Sequence, residues 1–268
     1  MITLIECYRV VESPSTIELE SNPPAAPAVS VGPTSLPRWF AMIQAFLICG
    51  IPTQLLVAAV LMLGMGMQPF EGSALSLEFF ATLSFLDTAV VALLILVFLT
   101  LSGETSRDVF IGRRSVKREV LRGLLLVPVI AIGVTAVVLG MRAVAPWMHN
   151  VSTNPLEGFM RTPLEAAIFA VVVVLAGGVR EELQRAFILH RFRQCLGGVK
   201  LGLAIFSITF ALLHLDQGYD VATAVGLLGL FWGVMYIRRG SAMLGMANHA
   251  GFNAAQVAQV FLARSLSL

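Results

Sequence analysis

Long uninterrupted apolar runs constrain this chain more than any other feature. The stretches 39–63, 77–101 and 121–143 each exceed the roughly 18 residues that mark a membrane-crossing helix. A soluble core can bury many apolar side chains, but not so many consecutive ones. Composition agrees: 57% of the 268 residues are hydrophobic and 13% are charged, against about 25% charged in ordinary soluble domains. Inside lipid every backbone N–H and C=O needs an internal partner. The runs are continuous rather than alternating, which selects helices over barrel strands. Further runs at 163–186, 201–215, 221–237 and 242–263 complete the expected fold class. It is all-α, a polytopic transmembrane helix bundle of about seven spans.

Basic residues set the expected orientation. The 102–122 connection carries Arg107, Arg113, Arg114, Lys117, Arg118 and Arg122, and further basic residues follow at Arg191, Arg193, Lys200, Arg238 and Arg239. The opposite connections, 64–76 and 216–220, carry none. This places the N-terminus in the cytoplasm and the C-terminus on the far side. Residues 1–37 contain Glu6, Glu12, Glu18 and Glu20 and lack a basic region before a cleavage site. They read as a flexible cytoplasmic tail and not as a secretory signal. Residues 38–158 form a first set of helices with their loops, and 159–268 a second region that holds the candidate chemistry. Cys7, Cys49 and Cys195 lack CxxC spacing, which argues against a thiolate metal site or a disulfide framework. No phosphate loop or basic-aromatic patch points to nucleic acid. The basic 107–122 loop is an anchor in its simplest reading, with anionic lipid binding as the sharper one.

Charged and polar groups at membrane depth are expensive and mark function or a paired interior. Three helices of the second region carry them. Gly177-Gly178-Val179-Arg180-Glu181-Glu182-Leu183-Gln184-Arg185 places Glu181 and Glu182 within a turn of Arg185. Arg185 can pair with one glutamate and leave the other for chemistry. Phe210 and His214 are i, i+4, as are His249 and Asn253, so each pair shares a face. Asn248 points elsewhere on the wheel. Each group alone has a structural reading: surface ion pairs, a hydrogen-bonded core histidine, interhelical glue.

Together these carboxylates, imidazoles and a carboxamide make the inventory of a hydrolytic site. Two schemes are open. His214, His249 and Glu181 can hold Zn²⁺ with one position left for water. Alternatively Glu181 acts on water as a general base while His249 and Asn253 stabilise the oxyanion. A transporter using the same groups, with Asp87 on its ion path and a helix break at Gly177-Gly178, is a reading from another class. A non-catalytic membrane scaffold is a third.

The three motifs resemble the CPBP family of intramembrane proteases, also called the CAAX protease or Abi family, over about residues 160–265. The family pattern is Glu-Glu-x-x-x-Arg, Phe-x-x-x-His and His-x-x-x-Asn. Phe210 to His214 and His249 to Asn253 match the second and third motifs. In the first the arginine, Arg185, arrives one residue early. Matching the glutamates makes Glu181 the catalytic glutamate; matching the arginine puts Arg180 there. The resemblance implies a hydrolase that cuts a membrane-associated or lipidated peptide or protein, and a multi-pass position in a bacterial cell membrane. It implies Glu181, Glu182, His214, His249 and Asn253 as catalytic residues and Arg185 and Phe210 as substrate-facing ones. Zinc remains one of the two schemes.

Overall fold

The computed structural model describes residues 36–72 and 74–267. The tail expected over 1–37 lies, but for its last two residues, outside the described residues, as does Cys7. Ten α-helices make up the described fold: α1 Arg38–Ile48, α2 Ile51–Ala59, α3 Leu77–Leu101, α4 Val116–Leu125, α5 Val127–Val144, α6 Pro163–Val172, α7 Glu181–Gln194, α8 Val199–Leu212, α9 Tyr219–Arg239 and α10 Met243–Ser267. A small antiparallel ribbon, β1 Phe70–Glu71 with β2 Ala74–Leu75, precedes α3.

The bundle is all-α and polytopic as expected, but the count of seven spans is not met. Among the described residues, four helices are long and apolar enough to cross a membrane. The number rises to five if α1 and α2, bent by 52° at their junction, count as one span. The shortfall has physical causes. α8 has 14 residues, about 21 Å at 1.5 Å per residue, short of the roughly 30 Å hydrocarbon core. α10 is long, but Asn248, His249, Asn253, Gln256 and Gln259 make it too polar to read as a lipid-spanning run. α1 stops where Gly50 adopts a left-handed φ of 91° before Pro52. The Gln184 side-chain amide, reaching across from α7, donates to the Ile48 carbonyl at 2.7 Å and satisfies that broken end. The expected span 121–143 divides at Leu126 into α4 and α5, with Pro128 at the start of the second helix.

The expected span 163–186 instead runs unbroken over Pro163–Gln194, 32 residues. A Thr162–Glu165 capping box starts it, which satisfies orphan N–H groups at the helix entry. Between α6 and α7 the backbone widens into a π-helical stretch, Val173–Arg180. Gly177-Gly178 sits in this stretch, so the expected break is a widened turn in a continuous helix. Gly178 is required by packing: a Cβ there would lie 2.5 Å from Ala250 Cα of α10.

Two sets of loops gather at opposite ends. At one end, the Ala242 N–H donates to the Phe110 carbonyl at 2.8 Å. Arg239 grips Glu119 with two nitrogens, and the Arg114 Nε donates to the Arg239 carbonyl at 2.9 Å. At the same end, buried Glu104 receives Arg191, His190 and Gln194 from α7. Burial pushes the Glu104 carboxyl up, but hydrogen bonds and charge from His190 and Arg191 outweigh it and hold the group at about 2. At the other end, Arg142 and His149 meet Asp220, and Asn154 meets Gln217. The basic connections read as cytoplasmic therefore lie together, apart from 216–220. α4 and α5 pack against α10, so the two sequence regions share one packed body.

Gly178→Ala should lower the thermal midpoint of the purified protein in detergent, because the clash is with helix backbone. We expect a cost of about 1–3 kcal/mol. Gly133→Ala, on α5 with nothing within 4 Å of the added carbon, should leave the midpoint unchanged or raised. Equal midpoints for the two variants would contradict the close crossing of the π-helical stretch and α10.

Candidate active site

The two glutamates that open α7 have different surroundings. Glu182 is buried at 2% exposure and is ion-paired to Arg185 one turn along. Arg185 has no exposed surface. Its Nε and one terminal nitrogen have no hydrogen-bond partner, and aromatic rings surround the guanidinium instead. Its carbon lies 4.9 Å from the Phe206 ring centre, 5.1 Å from Phe210 and 5.4 Å from Trp232. Desolvated cation–π contacts of this kind contribute about 2 kcal/mol or more. Arg185 thus consumes one glutamate and leaves Glu181 turned toward a cavity.

That cavity has a volume of about 1110 Å³ and is bordered by Glu181, His214, His249, Asn253, Phe210 and Trp232. α7 contributes the carboxylate, α9 the indole and α10 one histidine and the amide. His214 stands in the turn just past α8. Neither Glu182 nor Arg185 borders the cavity. Arg185, expected to face substrate, sits behind the site because its charge can persist in an apolar interior only when enclosed with its partner.

His249 bridges the two glutamates. Its Nδ1 lies 3.0 Å from Glu182 Oε1, and its Nε2 lies 3.8 Å from Glu181 Oε2. The first is a hydrogen bond; the second is too long for one, and both Glu181 and His249 border the cavity. Trp232 stacks on the imidazole, with centres 3.8 Å apart and planes 17° apart. Trp232 is fixed in turn: its Nε1–H donates to Asn248 Oδ1 at 2.8 Å, and the Asn248 amide donates to the Gly123 carbonyl at 3.0 Å. Asn248 thus anchors the site from behind while its neighbour His249 faces it.

His214 Nδ1 lies 2.7 Å from the Phe210 carbonyl one turn earlier, so it is the donor and Nε2 is left as an acceptor. The Phe210 ring packs at 4.8 Å from His214 and edge-on at 6.3 Å from His249. Asn253 Nδ2 donates to the Val173 carbonyl at 3.1 Å, a carbonyl at the start of the π-helical stretch. π-helical turns of this sort recur at functional sites. One Asn253 N–H remains beyond that bond.

Zinc does not fit the donors as placed. Among the described residues, no group of three or more His, Cys, Asp or Glu side chains is arranged to hold a metal ion. No step below is routed through one.

The sequence motifs did not reveal Trp232, Gln184 as the clamp on α1, or the ion pair between Arg180 and Asp87 of α3. All three depend on contacts between distant segments. The structural role of Asn248 was also missed, although an asparagine deep in a helix was the available signal.

Fold and site together define a multi-pass membrane protein with a cavity bordered by carboxylate, imidazole and amide side chains. Residues 163–255 match the family model described as Type II CAAX prenyl endopeptidase Rce1-like, so that segment is similar to that family. No curated protein and no solved structure matches the chain.

Arg185→Met should lower stability by about 3–5 kcal/mol, because it strands the buried Glu182 charge. Chemical denaturation in detergent measures this. The double change Arg185→Met with Glu182→Leu should recover much of the loss, and no recovery would contradict the buried clamp.

Proposed function

We propose that this protein is an intramembrane endopeptidase that hydrolyses a peptide bond of a membrane-associated or lipidated substrate with a water activated by Glu181. The observation that carries the reading is that Glu181, His214, His249 and Asn253 border one cavity, with His249 3.8 Å from Glu181. A partly exposed carboxylate faces this cavity, while the second glutamate is committed to Arg185. The family match supports a protease of CAAX type.

The chemistry follows from the geometry. A water in the cavity beside Glu181 and His249 gives its proton to the Glu181 carboxylate as its oxygen attacks the scissile carbonyl carbon. His214, with Nδ1–H tied to the Phe210 carbonyl, offers Nε2 as a further acceptor to orient that water. The developing oxyanion takes a hydrogen bond from the remaining Asn253 N–H. His249, with Nδ1–H on Glu182, presents Nε2 to the cavity as a second acceptor for the water. As the C–N bond breaks, Glu181 returns its proton to the leaving amine. One carboxylate thus serves as base and then as acid.

Of the two alignments of the first motif, the surroundings of Glu181 support its assignment as the catalytic glutamate. It is the glutamate that borders the cavity beside His249, whereas the Arg180 guanidinium is turned to Asp87. The transport reading is weakened by the same pair, because Asp87 is already neutralised. Placement in a bacterial cell membrane is part of this proposal and rests on the resemblance of the motifs.

The test uses full-length protein in liposomes with a fluorogenic library of prenylated and unmodified peptides. Wild type should cleave members of the library. His214→Ala and His249→Ala should each lose about 10²–10⁴-fold in kcat/KM. A metal chelator should leave wild-type cleavage intact. Variants as active as wild type would refute the assigned roles, and loss of activity to chelator with recovery on adding Zn²⁺ would restore the zinc scheme.

A further inference from the structure

We propose that Asp87 and Arg180 are positioning residues for Glu181, with Asp87 holding the Arg180 guanidinium beside the base and keeping it from closing on it. The proposal rests on the peptidase reading above. It concerns a residue of α3 that lies outside the family-matched segment 163–255.

Asp87 has no exposed surface. One carboxylate oxygen receives the Arg180 guanidinium, and the other, Oδ1, has no hydrogen-bond partner. Arg180 Nε is also unpartnered, and both side chains border the cavity. A buried ion pair whose remaining polar atoms are unsatisfied is a poor device for stability, and an apolar pair would serve the packing better. The arrangement has a use beside Glu181. Another nitrogen of Arg180 lies 3.7 Å from Glu181 Oε1, inside the range of charge attraction and outside hydrogen-bond length.

The cation is shared unequally, held firmly by Asp87 and loosely near Glu181. Without Asp87, the neighbouring carboxylate for Arg180 is Glu181. The guanidinium would swing onto it and occupy the lone pairs that must take the proton from water. Without Arg180, Asp87 and Glu181 would border the same cavity with no cation between them. The other charged or titratable groups around Glu181 are Glu182, Arg185, His214 and His249. Arg185 is committed to Glu182, so it cannot take over from Arg180. The close of the π-helical stretch at Arg180 sets where this side chain leaves the helix, directly before the base.

The experiment measures kcat and KM separately for full-length protein in liposomes with the fluorogenic peptides. The variants are Asp87→Asn, Asp87→Glu, Arg180→Gln and the double Asp87→Asn/Arg180→Gln. Asp87→Asn should reduce kcat by about 10–100-fold, as misplacement of a catalytic group does, with KM within about twofold of wild type. Asp87→Glu should retain most of the activity. The double variant should be no slower than Arg180→Gln alone, because Asp87 acts through Arg180. Asp87→Asn at wild-type kcat, or losses that multiply in the double variant, would overturn the proposal. If Asp87→Asn does not fold, Arg180→Lys and Arg180→Gln carry the test: lysine keeps most of kcat and glutamine does not, and equal kcat in the two overturns it. An inactive wild type overturns the peptidase reading and this proposal together. An active wild type with an indifferent Asp87 overturns this proposal alone.

Discussion

A guanidinium with no access to water needs a carboxylate beside it, and Arg185 has Glu182. The chemistry of the site is arranged around that pair. Because Arg185 claims Glu182, Glu181 is the one of these two glutamates that remains at the cavity. Because Glu182 is fixed, its oxygen holds Nδ1 of His249 and orients Nε2 toward Glu181. Phe206, Phe210 and Trp232 wrap the guanidinium in place of water. The Phe210 and Trp232 rings also pack against His249. A buried ion pair is weak evidence for stability in general. Here it sets which glutamate is available and which way an imidazole points.

The same logic of internal pairing extends to both ends of the bundle. Glu119 is held by Arg239, Glu104 by His190 and Arg191, and Asp220 by Arg142 and His149. Each pair ties together elements far apart in the sequence. The polar residues that an apolar interior tolerates are therefore the ones that lock helix to helix. Preorganisation of the catalytic groups follows, since α7 and α9 cannot slide without breaking such a pair, nor α10 without breaking the His249–Glu182 contact.

Much of this was legible in the sequence, for reasons that also explain what was not. Glu181, Glu182, His214, His249 and Asn253 stood out because a helix repeats every 3.6 residues and the bilayer makes polar groups conspicuous. The possibility that Arg185 would leave one glutamate free followed from i, i+3 and i, i+4 spacing, but which glutamate depended on neighbours that spacing does not show. The span count failed where apolar length misled. Gly50 with Pro52 bent one run, Leu126 divided another, and α8 ended too soon. Gly177-Gly178 looked like a break and proved to be a close crossing, because Gly178 admits Ala250 of α10 and Gly177 the Asn253 side chain. Asp87 was visible as an anomaly in an apolar run. Its partner, 93 positions away, was not, since no local period links α3 to the end of a π-helical stretch.

The central claim is that Glu181 performs the proton transfer and does not merely help to form the cavity. It is tested most directly by a structure of Glu181→Gln with an uncleaved peptide in liposome-derived nanodiscs, together with its turnover. The account predicts that the peptide binds with its scissile carbonyl oxygen within hydrogen-bond distance of Asn253, that the substituted amide side chain lies beside the carbonyl carbon, and that turnover is absent. A peptide bound away from this cavity, or turnover equal to wild type, would contradict it.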